Sequence, residues 1–321
     1  MANGIALHIG VNRVDPRAYP LRPEYSGRHY AIVNEKKPPV SFDGWFNVGW
    51  VGPLSTCEMD AAAMYDLAKS QGFNATILST PEATAENVEE AIRSAGQQLA
   101  AGDTFLVSYS GHGAQVDDLS GDEVDGEDET WCLYDRMFLD DEQRELYAEF
   151  AEGVKIVVVS DSCHSGSASR SGKSNTYEEH RRYEHGEPRK MEERTAVDVY
   201  RGRKNDYDKI QRDLKHPPPK LKASRILFSA CQDHETAMGY DDGGAFTVAL
   251  LKVWDNGNFT GNYGDLARQT RNELQTSYNY WVDKKGGDAS KIHLQVPNFV
   301  RIEGSSPEAL EEFINQRPFS L

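Results

Sequence analysis

The chain has 321 residues, enough for one large α/β domain or two small ones, with 38% hydrophobic residues and a formal net charge of −16. That charge excludes a general nucleic-acid binder, which needs a basic face, and suits a basic substrate. No stretch reaches the ~20 apolar residues of a membrane span, and the first residues lack the basic start of a signal peptide, so a cytoplasmic location is expected.

Short apolar runs alternate with helical patterns along the chain, the signature of a mainly parallel sheet with helices on both faces. Ile5–Val11 reads as the first strand. Residues 12–53 hold six prolines and read as a long connecting arm. Thr56–Ser70 reads as a helix, and Ala75–Leu78 as a short strand. Thr84 is expected to cap a helix reaching about Ala101, with Asn87 three residues on. Thr104–Ser108 and Lys155–Ser160 carry the continuous apolar character of central parallel strands. Arg225–Ser229 reads as a further strand, Ala245–Trp254 and Tyr263–Ser277 as helices, and His293–Ile302 as an edge strand bounded by Pro297.

Charge is unevenly placed. Residues 117–152 hold fifteen Asp and Glu against Arg136 and Arg144. Residues 167–222 hold fifteen Lys and Arg against ten acids and end in three prolines, Pro217 to Pro219. This second stretch reads as a polar, solvated loop. The four cysteines form no CxxC pair and are expected as free thiols, with no resolving cysteine near Cys163.

Two motifs follow two of the central strands. Tyr109-Ser110-Gly111-His112-Gly113 follows one, and Ser160-Asp161-Ser162-Cys163-His164-Ser165-Gly166 the other. The carboxyl edge of an open α/β sheet is where ligands bind. A cysteine nucleophile needs a thiolate, and an adjacent imidazole helps to form it and then protonates the leaving amine. His112 and Cys163 fit those roles. His164, next to the nucleophile in sequence, should project away from it. The amides of Gly113 and Cys163 are the expected oxyanion donors. Alternation along a strand places Asp161 on the side of Cys163 and Ser110 on the side of His112. An acid there selects a cationic side chain beside the scissile bond.

These two motifs resemble the histidine and cysteine motifs of metacaspases and their bacterial relatives, the orthocaspases. Leu54–Ala61, the acidic loop Gly121–Glu129, Leu139–Glu142, Ser229–Thr236 and Gly244–Thr247 resemble further segments of the family, in the same order. The short stretch before the first strand is similar to the bacterial members. The resemblance implies a single caspase-like α/β sandwich over 1–321, with a large-subunit region 1–166, a linker 167–222 and a small-subunit region 223–321. It implies cleavage after Arg or Lys, and it adds Cys57 and Asp60 to Ser110 and Asp161 in the pocket for that side chain. It implies a monomer acting on proteins or peptides, while charge and hydropathy argue against nucleic acid or membrane as partner.

The chemistry needs no cofactor. Dense acidic residues can hold calcium, and the resemblance matches calcium ligands to Asp128, Asp140 and Asp141. The family's fourth ligand has no match, since Arg170 stands near that place. Self-cleavage in the basic stretch is expected, with Arg170, Lys173, Arg181, Arg182, Lys190, Arg194, Arg203 and Lys204 as candidates. A plug over the pocket is the variant of that idea, and Arg13, Arg17, Arg22 and Arg28 of the arm could also mimic substrate. The rival readings are a catalytically silent scaffold of the same fold, a separase-like or legumain-like peptidase of other specificity, and a redox thiol enzyme.

Overall fold

The computed structural model describes the chain except Met1 and residues 22–29, 33–47, 119–125, 164–185, 232–235, 285–294 and 304–305. In chain order the strands are β1 (Gly4–Gly10), β2 (Pro20–Leu21), β3 (Tyr30–Ile32), β4 (Val48–Trp50), β5 (Asn74–Ser79), β6 (Thr104–Ser110), β7 (Gly113–Asp117), β8 (Glu127–Cys132), β9 (Met137–Leu139), β10 (Lys155–Asp161), β11 (Glu187–Pro188), β12 (Ser224–Ser229), β13 (Met238–Tyr240), β14 (Gly243–Gly244) and β15 (Asn298–Glu303). The helices are α1 (Cys57–Ser70), α2 (Ala85–Gln98), α3 (Asp140–Ala148), α4 (Glu193–Gly202), α5 (Lys204–Asp213), α6 (Ala245–Trp254), α7 (Tyr263–Lys284) and α8 (Pro307–Ile314).

The central sheet has the order β15-β12-β10-β6-β1-β5. Its pairs are parallel except β12 with β15, which is antiparallel at the edge. Central position explains the unbroken apolar runs, because both faces are covered. Successive residues of β6 and β10 face opposite cores. Phe105, Val107, Ile156 and Val158 join the core that takes in α2, α3, α4 and α5. Leu106, Val157 and Val159 join the core formed with α1, α6, α7 and α8. The result is an α/β sandwich of three layers.

Thr84 caps α2 as the sequence indicates, its hydroxyl accepting from the Asn87 amide at 3.3 Å. β6 runs two residues further than its apolar core, to Ser110, and α7 runs on to Lys284. The β6 extension is buried on both sides, whereas the added turns of α7 are largely exposed, with Tyr280 and Trp281 about half exposed.

Two stretches differ from their sequence reading. The basic stretch expected as loop carries α4 and α5, which bury Ala196, Val199, Tyr200 and Tyr207. Tyr200 and Tyr207 stack with ring centroids 5.4 Å apart. The apolar positions are there at helical spacing, but charged neighbours dilute them. The arm also contributes to the core, since Val14, Tyr19, Leu21 and Trp50 are buried. Arg13 and Arg17 are exposed, Arg17 pairing with Asp15, and neither enters a pocket. Arg22 and Arg28 lie outside the described residues.

Candidate active site

Three strands of the sheet end level with one another. Gly10 of β1 pairs with Ser110 of β6, and Ser110 pairs with Asp161 of β10. His112 and Cys163 therefore each lie two residues past the same sheet level, on adjacent strands. Tyr109 fixes the first turn by donating its hydroxyl to the carbonyls of His112 (2.7 Å) and Cys132 (3.1 Å). The His112 ring packs against Trp50, centroids 4.9 Å apart. A side-chain carbon on Gly113 would overlap the Cys163 carbonyl, so glycine is what lets the two turns approach.

A residue that the sequence reading did not single out fills the centre. Arg189, from the segment between Cys163 and α4, is fully buried (0% exposed). Its carbonyl oxygen accepts from the amides of Gly113 (3.1 Å) and Cys163 (3.2 Å). These are the two donors expected to hold an oxyanion, and they converge on one oxygen. The Arg189 amide donates to the Ala237 carbonyl at 2.9 Å, and Met191 donates to Gly113 at 2.8 Å. The segment is an added strand: Glu187 pairs with Gly239 and Pro188 with Met238, antiparallel.

The Arg189 guanidinium enters a pocket built from four distant parts of the chain. It reaches Asp60 of α1 at 2.5 Å and Asp161 of β10 at 3.0 Å. It donates to Ser110 (2.8 Å), the Asp161 carbonyl (3.2 Å) and Thr56 (3.3 Å). The two acids are themselves held. Asp60 accepts from Ser110 (2.8 Å) and from the Gly244 amide (2.9 Å). Asp161 accepts from the amide (3.0 Å) and hydroxyl (2.6 Å) of Thr247 at the start of α6. Cys57 is buried against the same cluster, and burial pushes its thiol up to about 12, opposed by Arg189 and by a hydrogen bond with Ser110. All four sequence-assigned pocket residues thus meet around one guanidinium. Thr56, Gly244 and Thr247 lie in the family-like segments Leu54–Ala61 and Gly244–Thr247 but were not assigned to the pocket, because only the tertiary structure brings those segments to it.

Burial pushes the Asp161 carboxyl above its ordinary value, against the pull of Arg189 and Thr247, and nearby Asp60 adds to the rise. Burial works against the charge of Arg189 too, but Asp161, Cys57 and Asp60 hold it above the ordinary arginine range. Two buried acids with one guanidinium between them are compensated only while the cation is seated.

The Cys163 thiol is buried beneath this segment. Burial, then its hydrogen bond with Cys231, raise its pKa well above the ordinary value, while the Ala237 amide, 3.0 Å away, lowers it. Cys231 therefore lies beside Cys163 in space, contrary to the expectation of no neighbouring thiol. The two are 68 positions apart (231 − 163), and only the pairing of β10 with β12 brings them together.

Lys190 follows Arg189 directly and bridges to Gly113. Arg194 lies on α4, Lys204 on α5, and Arg203 sits between them, donating to the Asp135 carbonyl at 2.8 Å. Arg170, Lys173, Arg181, Arg182 and His164 lie outside the described residues. Asp128 is buried on β8, and Asp140 and Asp141 open α3. Among the described residues no three acidic, histidine or cysteine side chains form a group that could hold a metal ion. These residues do not by themselves make a calcium site. Nor, among the described residues, is any helix long and apolar enough to cross a membrane.

Comparison with known proteins agrees with this fold. The family profile described as Caspase domain, peptidase C14, matches residues 42–302. A crystal structure of a Geobacter sulfurreducens protein is 36% identical, with 99% of each chain covered and a TM-score of 0.73. Caspase-1 from Spodoptera frugiperda, at 11% identity, 94% and 87% coverage and a TM-score of 0.50, shares the fold. Metacaspase-3 from Arabidopsis thaliana is 28% identical over 74% of this chain and 66% of its own length. Metacaspase-4 from the same plant is 33% identical over 37% of this chain and 31% of its own. The chain spans less than two thirds of the length of these curated relatives.

Proposed function

The chain belongs to the caspase-domain family, and from that premise we propose that it is a cysteine endopeptidase cleaving after arginine or lysine, with Arg189–Lys190 of its own chain as the first bond cut. One observation carries the reading: Arg189 is paired with Asp60 and Asp161 while its carbonyl oxygen sits between the amides of Gly113 and Cys163. Side chain, carbonyl and backbone are all oriented as those of a residue whose following peptide bond is to be broken.

In this mechanism His112 takes the Cys163 thiol proton, and the resulting thiolate sulfur attacks the Arg189 carbonyl carbon. The C=O electron pair moves to the oxygen, where the two amides stabilise the developing charge. When the C–N bond breaks, His112 gives a proton to the Lys190 nitrogen, and a thioester joins Cys163 to Arg189. Water then attacks the thioester, His112 takes its proton, and the Arg189 carboxylate and the Cys163 thiol are released. The seated Arg189 also occludes the pocket until the bond is cut or the segment lifts. Afterwards the same pocket takes an arginine or lysine of a protein or peptide substrate, the enzyme acting as a monomer in the cytoplasm. Lysine, a point charge on a longer stem, reaches the two acids without the bidentate fork.

A silent scaffold would have no need to hold a carbonyl between two amides. The metacaspase-like segment that carries Cys57 and Asp60 counts against a separase-like or legumain-like peptidase. The Cys163–Cys231 contact favours redox chemistry, but such an enzyme would use neither the amides nor the pocket. Calcium modulation would need more ligands than Asp128, Asp140 and Asp141 provide, and an EDTA arm of the assay tests it.

The test is the intact mass of the purified chain, with N-terminal sequencing of any fragment. A new N-terminus at Lys190 is expected in wild type, and an uncut chain in Cys163→Ala. Fluorogenic peptides ending in Arg or Lys should be hydrolysed and those ending in Asp should not. Turnover of Asp peptides, or turnover that survives Cys163→Ala, would overturn the proposal.

A further inference from the structure

The segment that seats Arg189 also shows how the preceding residues of a substrate would be read. Glu187 stands two positions before Arg189, and its carboxylate oxygen Oε2 accepts from both the Ser55 amide (2.9 Å) and the Ser55 hydroxyl (2.8 Å). Pro188 lies between them, opposite Met238 in the added strand. Ser55 immediately precedes Thr56, whose hydroxyl oxygen accepts from the Arg189 guanidinium, and α1 follows with Asp60. One short stretch, 55–60, therefore touches the substrate-like segment at two side chains. Backbone pairing with β13 sets the register, so Glu187 and Arg189, two apart, project to the same side toward that stretch.

We propose that Ser55 is a specificity-determining residue that selects an acidic side chain two positions before the cleaved arginine, so that the preferred substrates carry Glu-Pro-Arg ahead of the scissile bond. The inference rests on the peptidase reading above. The physical basis is chemical as well as geometric. A carboxylate accepts two hydrogen bonds at one oxygen, whereas an amide oxygen in the same place is a weaker acceptor and a lysine ammonium is none. Proline at the intervening position loses no ladder bond, since the neighbouring amide of Arg189 makes the pairing contact to Ala237. It also fixes φ and lowers the entropy lost on binding as an extended strand.

Steady-state hydrolysis of three matched peptides tests this: Glu-Pro-Arg, Gln-Pro-Arg and Lys-Pro-Arg, each with a fluorogenic amide. They are assayed with the self-cleaved chain and with Arg189→Ala, whose pocket its own linker does not fill. Wild-type kcat/KM should favour Glu over Gln by about five- to tenfold, the worth of an exposed charge-assisted pair, and Lys should be poorest. In Ser55→Ala the Glu preference should shrink to about twofold, because the amide donor remains, with the Gln peptide little affected. Equal turnover of the Glu and Gln peptides by wild type overturns the role of Ser55, as does a preference that Ser55→Ala leaves intact. Failure to hydrolyse any of the three would sink the peptidase reading itself.

Discussion

The molecule has two acid-rich regions, and they differ in kind. Around Arg189, two acids drawn from α1 and β10 face one guanidinium, and each is held by further donors. From the end of β7 to just past α3, fifteen acids crowd residues 117–152, yet the described ones gather into no metal-binding group. The paired acids are Asp60 at 3% and Asp161 at 1% exposure. Density of charge in sequence thus says little about function. What makes a site is convergence from distant elements, together with burial that leaves each charge dependent on its partner.

The contrast can be broken most directly by neutralising acids in both regions. Asp161→Asn should cut kcat/KM for arginine peptides by roughly two orders of magnitude or more, because breaking a buried pair costs about 3–5 kcal/mol. Asp140→Asn and Asp141→Asn should stay within about twofold, as exposed or part-exposed charges do. Similar losses at all three positions would erase the distinction.

A smaller perturbation tests the fit of the pocket. A side-chain carbon at Gly244 would overlap the Asp161 carboxylate and the Arg189 guanidinium. Gly244→Ala should raise KM for arginine peptides by roughly tenfold, in line with overpacking costs of about 1–3 kcal/mol. It should also speed alkylation of Cys163 in the uncut chain by loosening the segment that covers the thiol.

The pH dependence follows from the raised pKa of Asp161. The ionised carboxylate binds the cation, so binding is complete above that pKa and falls away as pH drops through it. KM for arginine peptides should therefore climb on acidification, and in Asp161→Asn that low-pH limb should flatten. An unchanged profile would mean that another group governs it.

The smallest effect concerns stability. Arg93 and Glu149 form an exposed pair, with side chains 44% and 42% exposed, and Arg93→Ala should cost at most about 1 kcal/mol by chemical denaturation. Arg189→Ala leaves Asp60 and Asp161 facing each other and should destabilise the uncut chain by more, although water entering the vacated pocket offsets part of the loss. A smaller loss at Arg189 than at Arg93 would mean that the seated arginine does not hold the pocket closed.

Several features were legible before any coordinates. The β-branched run Lys155–Ser160, the apolar run from Thr104 and the cap at Thr84 encode their elements locally, because propensity and periodicity agree with the final packing. The turns bearing His112 and Cys163 could be placed at one sheet edge for the same reason. The helices of 193–213 could not, since their apolar positions, Ala196, Val199, Tyr200 and Tyr207, are scattered among charges that mask the period.

The sequence by itself determined the parallel α/β layering, the strand ends that carry His112 and Cys163, and the acidic character of a pocket that includes Asp161. It also supplied fifteen basic residues between 167 and 222 with no local sign of which one matters. Only the tertiary structure chose Arg189 and set Cys231 beside Cys163. The reason is physical: a buried guanidinium is tolerated only where Asp60, Ser110 and Asp161 arrive together, and those residues meet through sheet pairing and helix packing across about a hundred positions of chain (161 − 60 = 101).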